Sequence, residues 1–366
     1  MQKKLRALLV GYSYWLMSGI PHLLTRAGFS VDVITNHNNP IKDNRHISNL
    51  TTTKNNLIKT LDEIDLNQYD FIIPSDDKIL AQIKNSDLDL EKKLKLLPIT
   101  EEKFISHITS RVEFVNVMQA NKIKTPQFYV AHNFEELKNS AIKLGFPVMV
   151  KGDIAGDGLI TNEYNNVFDL NKIETKFFDT RVLVQKKISG TEYDLSSLFR
   201  DQKLISFTVA TVIKSIKKFG PSSVRTYYQT TVLGKKIFDE LNAFGKALGA
   251  NGFVNIAAIK SDEDGEFYFI EGDMRPISWT DYTKFIGDDL APKITKWFHE
   301  KKALEFSSKL NPNYPSQMVM ANFLRLPTMD VLLNRYNVWR FMSKDDFVTF
   351  TRKLIQQINS IFSLKK

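Results

Sequence analysis

Short apolar runs and helical patterns alternate through the first hundred residues, and this alternation constrains the fold more than any other feature of the chain. RALLVG, SVDVIT and YDFIIPSDD read as strands, while IPHLLTRAG, NNLIKTLDEI and KILAQIK read as helices. Apolar strands interleaved with helices imply a parallel sheet covered on both faces. The first strand, Leu5–Val10, is therefore expected to be buried. No GxGxxG follows it, so the dinucleotide fingerprint is absent. The opening MQKKLRALLVGYSYWLMSGIPHLL has the outline of a secretory signal. Ser13, Ser18, Gly19, Pro21 and His22 break its apolar stretch, however, and no small-residue cleavage site follows. No other run reaches the roughly 18 apolar residues of a membrane span. A cytoplasmic protein is expected.

A second unit begins near residue 100. Ser110-Arg-Val-Glu113 is a capping box opening a helix through VEFVNVMQAN, and Asn133 with Glu136 repeats the pattern. GFPVMVKGDIAGDGLIT reads as two strands joined by a glycine-bearing turn. From Arg181 strands dominate, as RVLVQKK, EYDLSSLFRD, KLISFTVATVI and VRTYYQTTV. A helix over Lys235–Leu248 then precedes a hairpin turning at Asp262-Glu-Asp-Gly265. Beyond Lys284 the pattern is helical again, ending in the basic amphipathic segment FVTFTRKLIQQINSIFSLKK, read as a core-packed helix rather than a membrane contact. The fold class is α/β, with α+β character after the first domain. Boundaries are expected at 1–105, 106–180, 181–300 and 301–366.

The chain has no cysteine, which excludes a thiol nucleophile, Cys-ligated zinc and Fe–S clusters. Fifty Lys and Arg against 41 Asp and Glu give a net charge of +9, a field that favours anionic partners. Basic runs such as Lys214–Lys218 lack the interleaved aromatics of nucleic-acid readers, so no nucleic acid is expected.

Three motifs carry chemistry. Lys151 ends the apolar strand VMVK and is followed by Gly152, Gly156 and Gly158, a placement suited to holding phosphate oxygens under backbone amides. Asp153 and Asp157 would repel phosphate there unless they turn outward or meet a cation. Glu271-Gly-Asp273-Met-Arg275 follows the strand FYFIE. Side chains repeat every two residues along a strand, so Glu271 and Asp273 share a face and form a hard pair suited to Mg²⁺. Arg275 could grip a carboxylate or a transferring phosphoryl group. Finally, LVQKKISGTE is a strand, a short turn at Gly190 and a new strand carrying Glu192, a hinge able to meet an adenine edge and ribose hydroxyls.

Taken in order, the helix start at Arg111, VMVK with its glycine turn, LVQKKISGTE and IEGDMRP resemble the ATP-grasp superfamily over about residues 1–300. The hinge resembles that of the D-alanine–D-alanine ligases. The metal strand resembles that of the carbamoyl-phosphate synthetase large subunit and of carboxylate–amine ligases. The resemblance implies a pre-ATP-grasp α/β domain, a two-subdomain ATP-grasp fold and a C-terminal extension. It assigns Arg111 and Lys151 to ATP phosphates, Gln185, Lys186 and the Ile188 backbone to adenine, and Glu192 to ribose. Glu271 and Asp273 would hold Mg²⁺, and Arg275 would stabilise the reacting phosphoryl or acyl-phosphate group. The implied reaction is ATP-dependent, ADP-forming joining of a carboxylate to an amine through an acyl phosphate. The alternatives are a nucleotide-binding protein without catalysis and another reaction of the superfamily such as carboxylation. One departure stands out: fourteen residues before Glu271, where a further acid or amide ligand is usual, the chain has Ala257, with Asn255 two residues earlier on the same face. The acceptor site is expected between the first domain and the metal strands, lined by Tyr12–Ser18 (Tyr14 and Trp15 included) and Ser222–Arg225. Arg225 would pair with a substrate carboxylate, so that Arg225→Ala raises KM for the acid. Residues 301–366 are left open between packing element, dimer surface and specificity lid.

Overall fold

The computed structural model describes residues 4–54, 56–154, 161–345, 347, 348, 350–352 and 355. Its first layer is a parallel sheet in the order β3-β2-β1-β4, built from β1 (Leu5–Gly11), β2 (Phe29–Asn36), β3 (Asn49–Thr53) and β4 (Phe71–Pro74). The central β1 buries Ala7, Leu8, Leu9 and Val10 completely or nearly so, as a strand covered on both faces must. Strand order reverses between β1 and β4, so the loops that follow these two strands meet at the crevice where open α/β sheets bind ligands. The junction is tied locally: the backbone amides of Tyr12 and Ser13 donate to Asp76 Oδ2 at 2.6 and 2.9 Å. Asp76 also caps the helix Asp77–Lys84, accepting from the Ile79 amide.

A small antiparallel sheet follows in the order β5-β8-β6-β7, from β5 (Phe128–Ala131), β6 (Val148–Gly152), β7 (Thr161–Tyr164) and β8 (Val182–Lys186). Helix Phe134–Leu144 backs it, capped as expected by Asn133, which accepts from the Glu136 amide at 2.9 Å. Because β8 pairs with β5 and β6, this sheet extends to Lys186, past the boundary read at 180.

The third sheet has eight strands. They are β9 (Gly190–Asp194), β10 (Ser197–Arg200), β11 (Lys203–Phe207), β12 (Val209–Ser215), β13 (Ser222–Tyr228), β14 (Phe253–Ser261), β15 (Phe267–Asp273) and β16 (Gln317–Ala321). Their path is β11-β10-β14-β9-β12-β13-β16, with β15 on β14. Two stretches that read as single strands are each broken in two. Asp194 sits at both breaks: its Oδ1 accepts from the Ser196 amide and from Thr208 Oγ1, tying the two corners together. The first domain docks on this sheet through aromatic rings, Phe71 of β4 lying 6.1 Å from Phe253 of β14.

The described part of 301–345 carries short helices and turns, together with β16, which the periodicity did not predict and which pairs with β13. Phe323, Leu324, Val331 and Val338 share a core with Val31 and Leu23 of the first domain, so this described part packs on that domain. Most of the final segment FVTFTRKLIQQINSIFSLKK lies outside the described residues. No described helix is long and apolar enough to cross a membrane.

One buried histidine sets an acid limit on stability. His107 is 3% exposed, and its Nε2–H donates to the Leu248 carbonyl at 3.0 Å. Burial holds its pKa down at about 4, from an ordinary 6.5. Below pH 6.5 the unfolded chain binds a proton that the native chain refuses, so stability falls from there to about pH 4. The loss is on the order of 3 kcal/mol. Urea unfolding of His107→Gln at pH 7 and pH 5 should show a shallower acid loss than wild type.

Candidate active site

The small sheet and the large sheet face each other across a cleft, and most of the residues singled out above lie on the two facing surfaces. Pairing of Lys151 with Leu183 and of Met149 with Gln185 puts Lys151 and Gln185 on one face of the small sheet. Lys151 Nζ crosses the cleft to donate to the Ile270 carbonyl of β15 at 3.2 Å. Burial, reinforced by Arg111, lowers its pKa to about 8, while Glu271, Glu192 and Asp273 pull the other way. Gln185 is 1% exposed, yet its Nε2 has no hydrogen-bond partner. A buried amide donor left unpaired costs roughly 1–3 kcal/mol, so it marks a place where a ligand acceptor fits. Lys186 is exposed at the end of β8, and Ile188 is half-buried in the crossing to β9. Gly190 opens β9 at φ 156°, where a Cβ would lie 2.1 Å from the Lys260 carbonyl oxygen. Gly156 and Gly158 of the glycine turn, with Asp157, lie outside the described residues.

Arg111 is the first residue of the helix Arg111–Ala120, whose cap Ser110 accepts from the Glu113 amide at 3.1 Å. Its Nη1 donates to the Gly152 carbonyl at 2.8 Å, and its Nη2 lies 3.7 Å from Glu271 Oε1. Asp153, a concern for phosphate binding, turns away from the cleft. It accepts from Ser110 Oγ and the Val112 amide and pairs with Arg181 at 2.8 Å. Its charge is thereby absorbed by a helix N-terminus and a guanidinium.

On the opposite wall, strand register does the positioning. Glu271 lies opposite Ala257, and Ala257 opposite Asp194; Asp273 lies opposite Asn255. Glu192 and Asp194 alternate along β9 and so share this face. Asn255 Nδ2 donates to Asp273 Oδ2 at 3.1 Å. Asp273 sits at the cleft floor, where burial and Glu271 raise its pKa to about 7. Glu192 stands at the cleft mouth, open to water yet walled by protein; burial and Glu271 raise it as well.

Arg275 joins the site to the first domain. Its Nη2 donates to Asp273 Oδ2 at 3.0 Å and its Nε to Asp77 Oδ2 at 2.8 Å. Burial pulls the guanidinium pKa down, but Asp273 and Asp77 outweigh it and hold the charge firmly. Asp77 is a residue the sequence reading missed. Only its presence in the strand-end run IIPSDD signalled it.

Two further expectations concern side chains that the structure engages within the protein itself. Tyr14 is buried in the first domain's core, and Trp15 packs half-buried against that core. Arg225 is 8% exposed; its Nη1 donates to Asp194 Oδ2 at 2.7 Å and its Nε to Ser222 Oγ at 2.6 Å. Its guanidinium also lies 5.1 Å from the Trp279 ring. A guanidinium held on these sides is built into the wall rather than grouped with the phosphate-side cations.

Gly272, between the two carboxylates, is required by close approach. A Cβ there would lie 2.5 Å from Phe114 of the Arg111 helix and 3.0 Å from Phe244. Gly272→Ala should destabilise the fold by roughly 1–3 kcal/mol through overpacking and shift the helix that carries Arg111. Thermal unfolding and nucleotide affinity, measured together, check both effects.

Three cations (Arg111, Lys151, Arg275) thus surround two adjacent carboxylates, with Glu192 at the mouth. This arrangement suits a polyphosphate that shares a divalent cation with Glu271 and Asp273.

No protein-family model matches the chain. Solved structures do. N5-carboxyaminoimidazole synthetase from Staphylococcus aureus, complexed with ADP, matches with a TM-score of 0.69 at 15% identity, over 92% of this chain and 87% of that one. The biotin carboxylase domain dimer of the 2-oxoglutarate carboxylase of Hydrogenobacter thermophilus, in complex with MgADP, ADP and bicarbonate, matches with 0.65 at 14% identity, over 87% and 74%. The L-amino acid ligase of Bacillus licheniformis matches with 0.57 at 17% identity, over 85% and 78%. These neighbours are ATP-grasp proteins, and the likeness is one of fold.

Proposed function

Starting from the ATP-grasp fold of this chain, we propose that it is an ATP-dependent, ADP-forming ligase that activates a carboxylate as an acyl phosphate and joins it to an amine. The observation carrying this reading is the convergence of Arg111, Lys151, Glu271, Asp273 and Arg275, drawn from a helix start and two sheets, on one cleft. The unpartnered Gln185 Nε2 beside Lys151 supports a nucleotide base at the hinge end, with Glu192 near the ribose. Mg²⁺ on Glu271 and Asp273 would neutralise phosphate charge when bound.

In the reaction, a substrate carboxylate oxygen attacks the γ-phosphorus of ATP and the bond to the ADP oxygen breaks. The amine nitrogen then attacks the acyl carbon, phosphate departs and the nitrogen loses a proton. The residues position and neutralise rather than react. Arg111 and Lys151 hold the phosphates from the small-sheet side. Arg275, fixed by Asp273 and Asp77, presents its guanidinium to the transferring group. The acid and amine enter from the side of the first domain, past the β1 and β4 loops.

Ala257, directly opposite Glu271, favours a second reading, nucleotide binding without turnover. Thermal unfolding with ATP and ADP, with and without Mg²⁺, on wild type and Lys151→Ala tests binding. Ligand at 100-fold over its Kd should stabilise the native state by about 2.7 kcal/mol. ADP release from mixtures of acids and amines then tests turnover. Release that depends on bicarbonate would assign a carboxylation, a phosphorylated product formed without an amine would assign a kinase-type transfer, and release under no condition would leave the second reading.

A further inference from the structure

We propose, resting on the nucleotide-site reading above, that this cleft holds a single divalent cation beside the nucleotide, carried by Glu271 and Asp273, and that the Ala257 position closes the place of a second. A row runs straight across four strand pairings: Glu271, Ala257, Asp194, Ala210 and Tyr227. Directly paired residues point to the same face, so Ala257 presents a methyl group between two carboxylates. A methyl offers a cation nothing.

The neighbours that could supply the missing oxygen are already engaged. Asp194 is 6% exposed and binds Arg225, Thr208 Oγ1 and the Ser196 amide. Asn255 gives its amide nitrogen to Asp273 and accepts Ser196 Oγ on its oxygen at 2.8 Å. Asp273 Oδ2 takes both Asn255 and Arg275. What remains is the Glu271 carboxylate, Asp273 Oδ1 and Glu192, which stands opposite Ile259 rather than Ala257 and is read above as the ribose partner. Among the described residues no group of three or more acidic or imidazole side chains converges to hold a metal. Two carboxylates with water and substrate phosphates satisfy one octahedral Mg²⁺; two ions about 3.5–4 Å apart would need a donor on the far side of Glu271 as well. Charge points the same way. Arg111, Lys151 and Arg275 stand against four carboxylates, Glu192, Glu271, Asp273 and Asp77, an excess of one negative charge that a single divalent cation offsets more nearly than two. The buried, unpartnered Gln185 Nε2 facing the cleft independently marks it as a ligand site.

Mn²⁺ counted by the EPR of the free ion, titrated into the full chain with saturating ADP or a non-hydrolysable ATP analogue, tests this directly. Wild type is expected to take up one Mn²⁺ per chain. Ala257→Glu should take up two and show the broadened spectrum of a coupled pair. Ala257→Asp supplies the same test with a shorter arm if the glutamate variant fails to fold. Two ions in wild type would overturn the proposal while leaving the nucleotide site standing. Folded glutamate and aspartate variants that both stay at one would overturn the role given to position 257. Nucleotide-independent uptake, unchanged in Lys151→Ala, would overturn the site reading and the proposal together.

Discussion

Arg275→Ala should lower single-turnover ADP formation by about 10³-fold while nucleotide affinity stays within a few-fold of wild type. Arg275 is the cation tied at once to the metal strand and to the first domain. Its removal leaves Asp273 and Asp77 facing the reacting group without the guanidinium that offsets them. The phosphate contacts proposed for Arg111 and Lys151 would be untouched, so binding is expected to survive. Arg275→Lys should recover little, because a point charge cannot bridge two carboxylates as a planar fork does. Rapid-quench turnover and calorimetric ADP binding, run on the same preparations, check the split. A loss of affinity equal to the loss of rate would assign Arg275 to binding.

The second large effect is on folding. The Arg225–Asp194 pair is buried on both sides, with side chains 9% and 7% exposed at 2.7 Å. Removing one partner strands a buried charge, so Arg225→Met or Asp194→Leu alone should cost about 3–5 kcal/mol. The double variant should recover most of that, since two apolar side chains leave no charge behind. Asp194 also pins the corners at Ser196 and Thr208, so its single loss should be the worse of the two. Denaturant midpoints for the four-member cycle give the coupling. The increase in KM expected of Arg225→Ala from the sequence would, in this structure, come with a fall in stability. A variant with an unchanged midpoint and a raised KM would support the direct substrate role.

Much of the site could be read from the chain because its signals are local. Ser110 and Asn133 announced their helices through side chains three residues from their partners, and Lys151 announced itself as a charge ending an apolar strand. Position 257 was singled out by the ligand spacing usual in the superfamily the chain resembles, and the register pairs Ala257 with Glu271. What escaped was set by pairing between distant segments. Arg275 and Asp77 are 198 residues apart, and Arg225 reaches Asp194 across an intervening strand. No period in either segment encodes such a partner. The corners at Asp194 and Thr208 were hidden for a related reason: an apolar strand that changes neighbours looks the same as one that continues. β16 escaped because QMVMA is too short to tell from a helical turn without the β13 edge it covers.

The Asp77–Arg275 bond bears on how a chain like this can be recombined. Its first domain reads as an interchangeable block, since it has its own sheet and short connections. A chimera that replaces this block will dock through the Phe71–Phe253 contact if an aromatic is kept there. It will still present a loosened arginine unless the helix after the fourth strand opens with an acid. Grafting a donor domain therefore calls for transplanting one carboxylate with it, and a hybrid that melts normally but turns over slowly would have lost that one residue.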